Sequence, residues 1–232
     1  RCIEEQADRL HRLIQDLLDN RIALYPAAHQ VLSDDPDKLG REIGVEQQAL
    51  VNRIVEEMLE ADAEILVITP YLVPLQDGVE FWRGRTDSGL RVLMLTNSLA
   101  SNNHVAVHSA YSKYRPAMVD AGVDLYEARV DAVTERPGEK SPGALTLHTK
   151  AFLIDRDTLY VGSLNLDPRS IEINVESGVL VYSSEMVSAL AAEVLEELDE
   201  FAYRIELDEN GRVRWHGTID GIEVIETTEP QT

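Results

Sequence analysis

An α/β fold, with a mainly parallel mixed sheet flanked by helices, is predicted by three observations. From Ala63 onward, short runs rich in Val, Ile and Leu alternate with stretches of helical spacing. That alternation builds βαβ units, whose strands are covered on both faces and therefore read as continuous apolar runs. The 232 residues are 44% hydrophobic, which is enough chain for a substantial core. Finally, Asp208-Glu209-Asn210-Gly211 separates two short β-prone runs near the end, and this is hairpin turn chemistry.

The elements follow in order. Residues 1–20 place Ile3, Leu10, Leu13, Ile14, Leu17 and Leu18 on one stripe, the spacing of an amphipathic helix. Residues 25–40, with Pro26, Asp34-Asp35-Pro36-Asp37 and Gly40, carry turn formers and little period, so they read as a loop. Helical spacing returns over 46–61 through Ala49, Leu50, Ile54, Met58 and Leu59. Residues 64–68 and 91–95 are strands with a helix around Phe81-Trp82 between them; 106–121 is a further helix and 123–126 a further strand. Residues 131–141, which include Pro137 and Gly138, form a surface loop. Strands are expected over 145–154, 158–161 and 178–182, then a closing helix over 184–203 with Met186, Leu190, Val194, Leu195 and Leu198 inward. Residues 205–207 and 212–215 make the hairpin, and the last residues read as frayed. The expected organisation is a helical and linker segment (1–60), an α/β unit (61–204) and a hairpin with tail (205–232).

Lys plus Arg number 21 against 42 Asp plus Glu, a formal charge of −21. Nucleic-acid binding depends on Lys and Arg displacing counterions from phosphates, so this surface argues against a nucleic-acid partner. The same charge repels anionic headgroups in general, and membrane contact is expected to be local, hydrophobic or supplied from outside this chain. A host living at high salt would produce a similar composition. The single cysteine, Cys2, excludes an internal disulfide framework. No run approaches the ~18 apolar residues of a spanning helix.

The chemistry concentrates in His148-Thr149-Lys150-Ala151-Phe152-Leu153-Ile154-Asp155 and in Gly162-Ser163-Leu164-Asn165. A histidine and a lysine two apart on a strand share a face, because side chains alternate. An imidazole attacks phosphorus or protonates a leaving oxygen near neutral pH, and a lysine ammonium neutralises phosphate oxygens. Phosphoryl chemistry is the natural use of such a pair. A core histidine is the usual alternative, but a core does not bury an unpaired ammonium. Asp155 stands five residues from Lys150, so it points to the other side of the strand and is expected to play a structural, ion-pairing part. His108 and Tyr111, three apart, lie on one helix face.

The pattern H-x-K-x4-D followed by G-S-x-N resembles that of the phospholipase D superfamily. The longer run Gly162-Ser163-Leu164-Asn165-Leu166-Asp167-Pro168-Arg169-Ser170 is similar to the bacterial cardiolipin synthase branch. Ile68-Thr69-Pro70-Tyr71-Leu72-Val73-Pro74, Leu95-Thr96-Asn97-Ser98-Leu99-Ala100, His108-Ser109-Ala110-Tyr111 and Asn174-Val175-Glu176 match stretches of the second half of such synthases. The resemblance implies a phospholipase D-like half-domain with a site built from two motifs. His11, His29, His104, His108 and His216 each lack a lysine two positions on, so this sequence has one motif. The other is expected from a first half of a longer protein or from a second copy of this chain.

By resemblance, one histidine attacks the phosphodiester to give a phosphohistidine while the other, here His148, protonates the departing alcohol. Lys150 and Asn165 would hold the phosphoryl oxygens without a metal or other cofactor. Ser163 would contact substrate, Glu176 would accept a hydrogen bond from the catalytic histidine, and His108 with Tyr111 would lie near a headgroup pocket. The expected activity is phosphatidyl transfer onto the alcohol of another phospholipid. The expected location is a bacterial inner membrane surface, reached through parts outside this chain. A phosphodiesterase or nuclease acting as a homodimer, or an inactive lipid-binding or dimerisation half, are the alternatives.

Overall fold

The computed structural model describes residues 11, 14–16, 18–19, 21, 24–39, 49–102, 104–130, 147–219 and 221–230. In chain order they form β1 (Ala28–Ser33), α1 (Ala49–Glu60), β2 (Glu64–Ile68), α2 (Leu75–Asp87), β3 (Arg91–Asn97), α3 (Val105–Tyr111), α4 (Arg115–Asp120) and β4 (Asp124–Ala128). There follow β5 (Ala151–Ile154), β6 (Thr158–Gly162), α5 (Pro168–Glu172), β7 (Ser177–Tyr182), α6 (Ser184–Phe201), β8 (Ala202–Leu207), β9 (Val213–Ile219) and β10 (Ile222–Glu226). The strands make one ten-stranded sheet in the order β1-β7-β6-β5-β2-β3-β4-β8-β9-β10.

The class is the mixed α/β sheet flanked by helices that the sequence indicates, with a smaller share of parallel pairing. Only β2–β3 and β3–β4 run parallel, and the flanking pairs are antiparallel. Connection length decides this: α2 and the α3–α4 pair give β2, β3 and β4 room for crossovers, whereas β5 reaches β6 through Asp155, Arg156 and Asp157 alone. A parallel return needs a dozen or more residues.

Alternation along each strand divides the core in two. Val67, Met94, Leu125, Phe152 and Tyr160 face one layer with Leu50, Ile54, Met58, Trp82 and Met118 from α1, α2 and α4. Leu66, Leu93, Leu95, Leu153 and Leu159 face the other, covered by Val187, Ala191 and Leu198 of α6. Each such side chain fully buried contributes about 1.5–3 kcal/mol.

Several expectations differ from the structure. Residues 25–40 contain β1, which pairs with β7 from Ala28↔Tyr182 to Ser33↔Ser177, so the segment boundary drawn at residue 60 falls inside the sheet. The helix expected over 106–121 is two helices. Pro116 lies in the first turn of α4, and in a continuous helix its ring would meet the carbonyl four residues back. The closing helix stops at Phe201 and the chain passes directly into β8, which places Tyr203 in a strand. Residues read as frayed form β10, paired with β9 from Ile222↔Ile219 to Glu226↔Trp215. The 131–141 loop and most of the 1–20 helix lie outside the described residues. No helix among the described residues is long and apolar enough to cross a membrane.

Candidate active site

The carboxyl ends of β2, β3 and β4 and the amino end of β5 meet at one rim of the sheet. Ala151 pairs with Ile68 and Ile68 with Leu95, while Thr96 pairs with Glu127. One residue beyond the last β5–β2 pair come Lys150 and Thr69, so Lys150, Thr69, Thr96 and Glu127 follow one another along this rim. The ladder continues across β6 and β7, where Gly162 donates to the Lys150 carbonyl at 3.2 Å and pairs with Gly178. The Gly-Ser-x-Asn turn is thereby brought beside the His-x-Lys segment.

Regular strand begins at Ala151; of the strand expected over 145–154, residues 147–150 are not in regular strand and 145–146 lie outside the described residues. His148 is exposed at the rim and Lys150 is buried, 8% exposed. The Lys150 ammonium donates to the His148 carbonyl at 2.7 Å, which ties the two motif residues together through the backbone. Burial pushes the Lys150 pKa below the ordinary lysine range, against the opposing charge of Glu176.

Tyr160 explains the two glycines. Its ring stacks on Phe152 with centroids 5.2 Å apart, and an added Cβ would stand 2.3 Å from the Tyr160 hydroxyl at Gly162 and 2.3 Å from the Tyr160 ring at Gly178. No real Cβ fits such a gap, so glycine at both positions is a condition for seating the tyrosine under the turn. Burial raises the Tyr160 pKa to about 12, which keeps the hydroxyl protonated; it donates to the Ser177 carbonyl and accepts from the Leu164 amide.

Beyond Gly162 the turn is held by Glu176, which is 4% exposed. Its carboxylate accepts from the hydroxyl of Ser163, from Ser170 Oγ at 2.5 Å and from Asn174 Nδ2 at 3.1 Å. Ser170 Oγ in turn accepts from the Asn165 amide at 2.9 Å. Asp167 caps α5 by accepting from Arg169 N and Ser170 N, with Pro168 at the first helical position. Asp-Pro-Arg-Ser is thus a helix start that delivers the Ser170 hydroxyl to both partners. The Glu176 hydrogen bond expected from His148 is not made among the described residues; the carboxylate is saturated by the hydroxyls and amide of its own loop. Asn165 lies at this turn, and its Oδ1 is buried without a donor among the described residues.

Behind Glu176 stands a pair the sequence reading passed over. Lys38 Nζ donates to Asp34 Oδ2 at 2.7 Å with both side chains fully buried. Asp34 Oδ2 also accepts from the Glu176 amide at 3.2 Å, and Lys38 lies 3.5 Å from the Ser170 carbonyl. Opposite charges four apart in Asp34-Asp35-Pro36-Asp37-Lys38 were the available signal, hidden by the loop composition around them.

Asp155 sits at the far end of β5. Its carboxylate accepts from the amides of Asp62, Ala63 and Glu64 at 2.8, 2.8 and 2.9 Å, so it anchors the start of β2 through backbone donors in place of the expected ion pair. His108 and Tyr111 are also remote from Lys150 along the rim, and both are buried. Tyr111 donates to Glu127 Oε1 at 2.7 Å, Arg115 binds the same oxygen at 2.6 Å, and Trp215 Nε1 donates to Glu127 Oε2 at 2.9 Å. His108 Nε2 lies 2.6 Å from Glu229 Oε1, which Arg115 also holds. Burial pushes the Glu229 pKa up, but the hydrogen bonds from His108 and Arg115 outweigh it and bring it down to about 2. This cluster fastens the segment around Glu229 to α3 and α4; the Tyr111 hydroxyl is committed to Glu127, while His108 Nδ1 is buried without a partner among the described residues.

Comparison with known proteins agrees with the fold. Residues 54–198 match the family model described as cardiolipin synthase, PLD-like domain. Cardiolipin synthase C of Escherichia coli (strain K12) is 31% identical over 223 residues, covering 94% of this chain and 47% of that protein. Cardiolipin synthase 2 of Bacillus anthracis is 28% identical over 159 residues, 68% of this chain and 28% of that protein. The chain spans about half the length, or less, of the curated relatives it matches. Among solved structures, the phospholipase D family member Nuc of Salmonella typhimurium superposes with a TM-score of 0.54 at 14% identity, over 77% of this chain and 99% of that one. Phosphatidylserine synthase of Haemophilus influenzae Rd KW20 gives 0.51 at 14%, over 77% of this chain and 39% of that one. At these identities the structural likeness is one of fold. The family match covers more than half of the sequence, from α1 to α6 and through the rim that carries His148, Lys150 and Asn165, and the chain belongs to the cardiolipin synthase, PLD-like domain family.

Proposed function

We propose that this chain contributes one half of a phosphatidyltransferase site of cardiolipin synthase type, completed by a second His-x-Lys motif from the rest of a longer protein or from another copy. The observation that carries the reading is a buried lysine ammonium next to an exposed histidine, with the Gly-Ser-x-Asn turn hydrogen-bonded to the same segment. A buried ammonium is costly without an anion to meet, and a phosphodiester is such an anion. The imidazole of the second motif attacks phosphorus with its lone pair while the P–O bond to the alcohol breaks. His148 gives its proton to the departing oxygen. In the return step an incoming lipid alcohol forms a new P–O bond, the P–N bond breaks, and the alcohol's proton passes to the now neutral His148. Lys150 and Asn165 hold the phosphoryl oxygens throughout, and Ser163, through Glu176, keeps the turn in place.

The direct test incubates the full-length parent protein with phosphatidylglycerol vesicles. The expected products are diphosphatidylglycerol and free glycerol; phosphatidic acid alone would make the protein a hydrolase, and cleavage of DNA in place of lipid would make it a nuclease. A second expectation concerns pH. An ammonium is charged below its pKa, and that of Lys150 is lowered, so turnover should fall as pH rises and begin to do so below the range of an exposed lysine. Lys150→Arg, whose guanidinium stays protonated, should lose this alkaline limb even if its maximal rate is lower. An unchanged limb in that variant would assign the titration to another group.

A further inference from the structure

We infer that Asn97 is a positioning residue for His148, an inference that rests on reading His148 as the proton donor. β2 is the sheet neighbour of β5, and their last pair is Ile68↔Ala151. Two residues further β2 reaches Pro70, which has no N–H and cannot continue a ladder. The segment that precedes β5 therefore loses its strand partner just where His148 stands. Asn97, at the end of β3 and 1% exposed, reaches across this gap. Its Nδ2 donates to the Leu147 carbonyl at 3.0 Å and to the Pro70 carbonyl at 3.3 Å, and its Oδ1 accepts from the Leu147 amide at 3.0 Å.

A side-chain amide has the same donor and acceptor as a peptide unit, and here it supplies the missing ladder pair. The Leu147 side chain packs on the α6 side of the core, so this residue is fixed by both its backbone and its side chain. The next residue is His148, whose own carbonyl is held by Lys150 Nζ. The imidazole is thus aimed by a backbone clamped immediately before and after it. Asn97 is itself rigid, because its backbone lies in the β3–β4 ladder opposite Ala128. A catalytic group is useful only while held close to its productive geometry, and a side chain built on a strand holds it better than a loop does.

The test compares two diesters in the full-length parent protein. Phosphatidylglycerol releases an alkoxide that needs a proton, whereas bis(p-nitrophenyl) phosphate releases a stable anion that does not. With Asn97→Ala, kcat on phosphatidylglycerol should fall ~100-fold with KM little changed, and kcat on the p-nitrophenyl diester should fall by less than ~10-fold. Asn97→Asp keeps the acceptor for the Leu147 amide and loses the donor, so it should lie between wild type and Asn97→Ala. Equal losses on both substrates, in step with the folded fraction in thermal unfolding, or no loss on either, would overturn the inference. His148→Ala is the control. If it keeps its rate on phosphatidylglycerol, the proton-donor reading fails and the inference with it; if it is inactive while the Asn97 variants do not discriminate, the inference alone fails.

Discussion

His148→Ala in the assembled two-motif protein is expected to lower phosphatidyl transfer by ~10³-fold or more, at the upper side of what a positioned general acid contributes, and to leave thermal unfolding unchanged. His148 is exposed and its imidazole makes no hydrogen bond among the described residues. Exposed positions of that kind change stability by no more than about 0.5 kcal/mol. On the proposed mechanism the chemical loss is large because an alkoxide leaving group at neutral pH has no comparable proton source, Lys150 being assigned to charge neutralisation. The measurement is steady-state turnover on phosphatidylglycerol beside a melting curve by circular dichroism. A variant that keeps most of its rate would remove His148 from the mechanism. A variant that is inactive because it melts early would show that His148 supports the fold.

Asp34→Ala should have the largest effect on stability. Among the described residues it leaves the buried Lys38 ammonium with the Ser170 carbonyl, 3.5 Å away, as its remaining partner. Breaking a buried ion pair by removing one member costs about 3–5 kcal/mol, which in a chain of this size lowers the melting temperature by roughly 6–20 °C. The double substitution Asp34→Leu with Lys38→Met removes both charges and should recover much of that loss, because the cost lies in the orphaned ammonium. Asp34 also joins β1 to the proposed site turn through the Glu176 amide, so activity should fall in Asp34→Ala even at temperatures where the chain remains folded. A loss below about 1 kcal/mol by chemical denaturation, or a double variant as unstable as the single one, would mean that the pair is not a determinant of stability.

Lys38 also shows where a sequence pattern stops being informative. Residues 25–40 carry proline and four acidic residues or turn formers in succession, and by composition they are a loop. The structure uses the same residues to add strand β1 to the sheet edge and to place a buried charge behind the Gly-Ser-x-Asn turn. Edge strands gain their ladder from the neighbour, here β7, and need little apolar pattern of their own. The last residues behave similarly. Ile222 to Glu226 are β-prone but isolated in sequence, and their partner β9 decides that they form a strand. Residues 106–121 show the reverse: a helical period runs across the whole segment, but the local constraint of Pro116, in the first turn of α4, divides it into two helices.

The motif itself was legible because its chemistry is local. Histidine, lysine, glycine, serine and asparagine within a short span, with strand periodicity on one side and a turn on the other, specify which functional groups approach one another whatever surrounds them. Strand and helix periods likewise fixed the α/β class, because burial of apolar faces depends on spacing along the chain. Other features needed the folded molecule: the Glu176 carboxylate committed to Ser163, Ser170 and Asn174, His108 and Tyr111 drawn to Glu229 and Glu127, and Asn97 bonded to a backbone 50 residues away. A polar group pairs with whatever donor or acceptor arrives within about 3 Å, and that arrival is set by how strands and helices pack, a property no spacing in the sequence encodes.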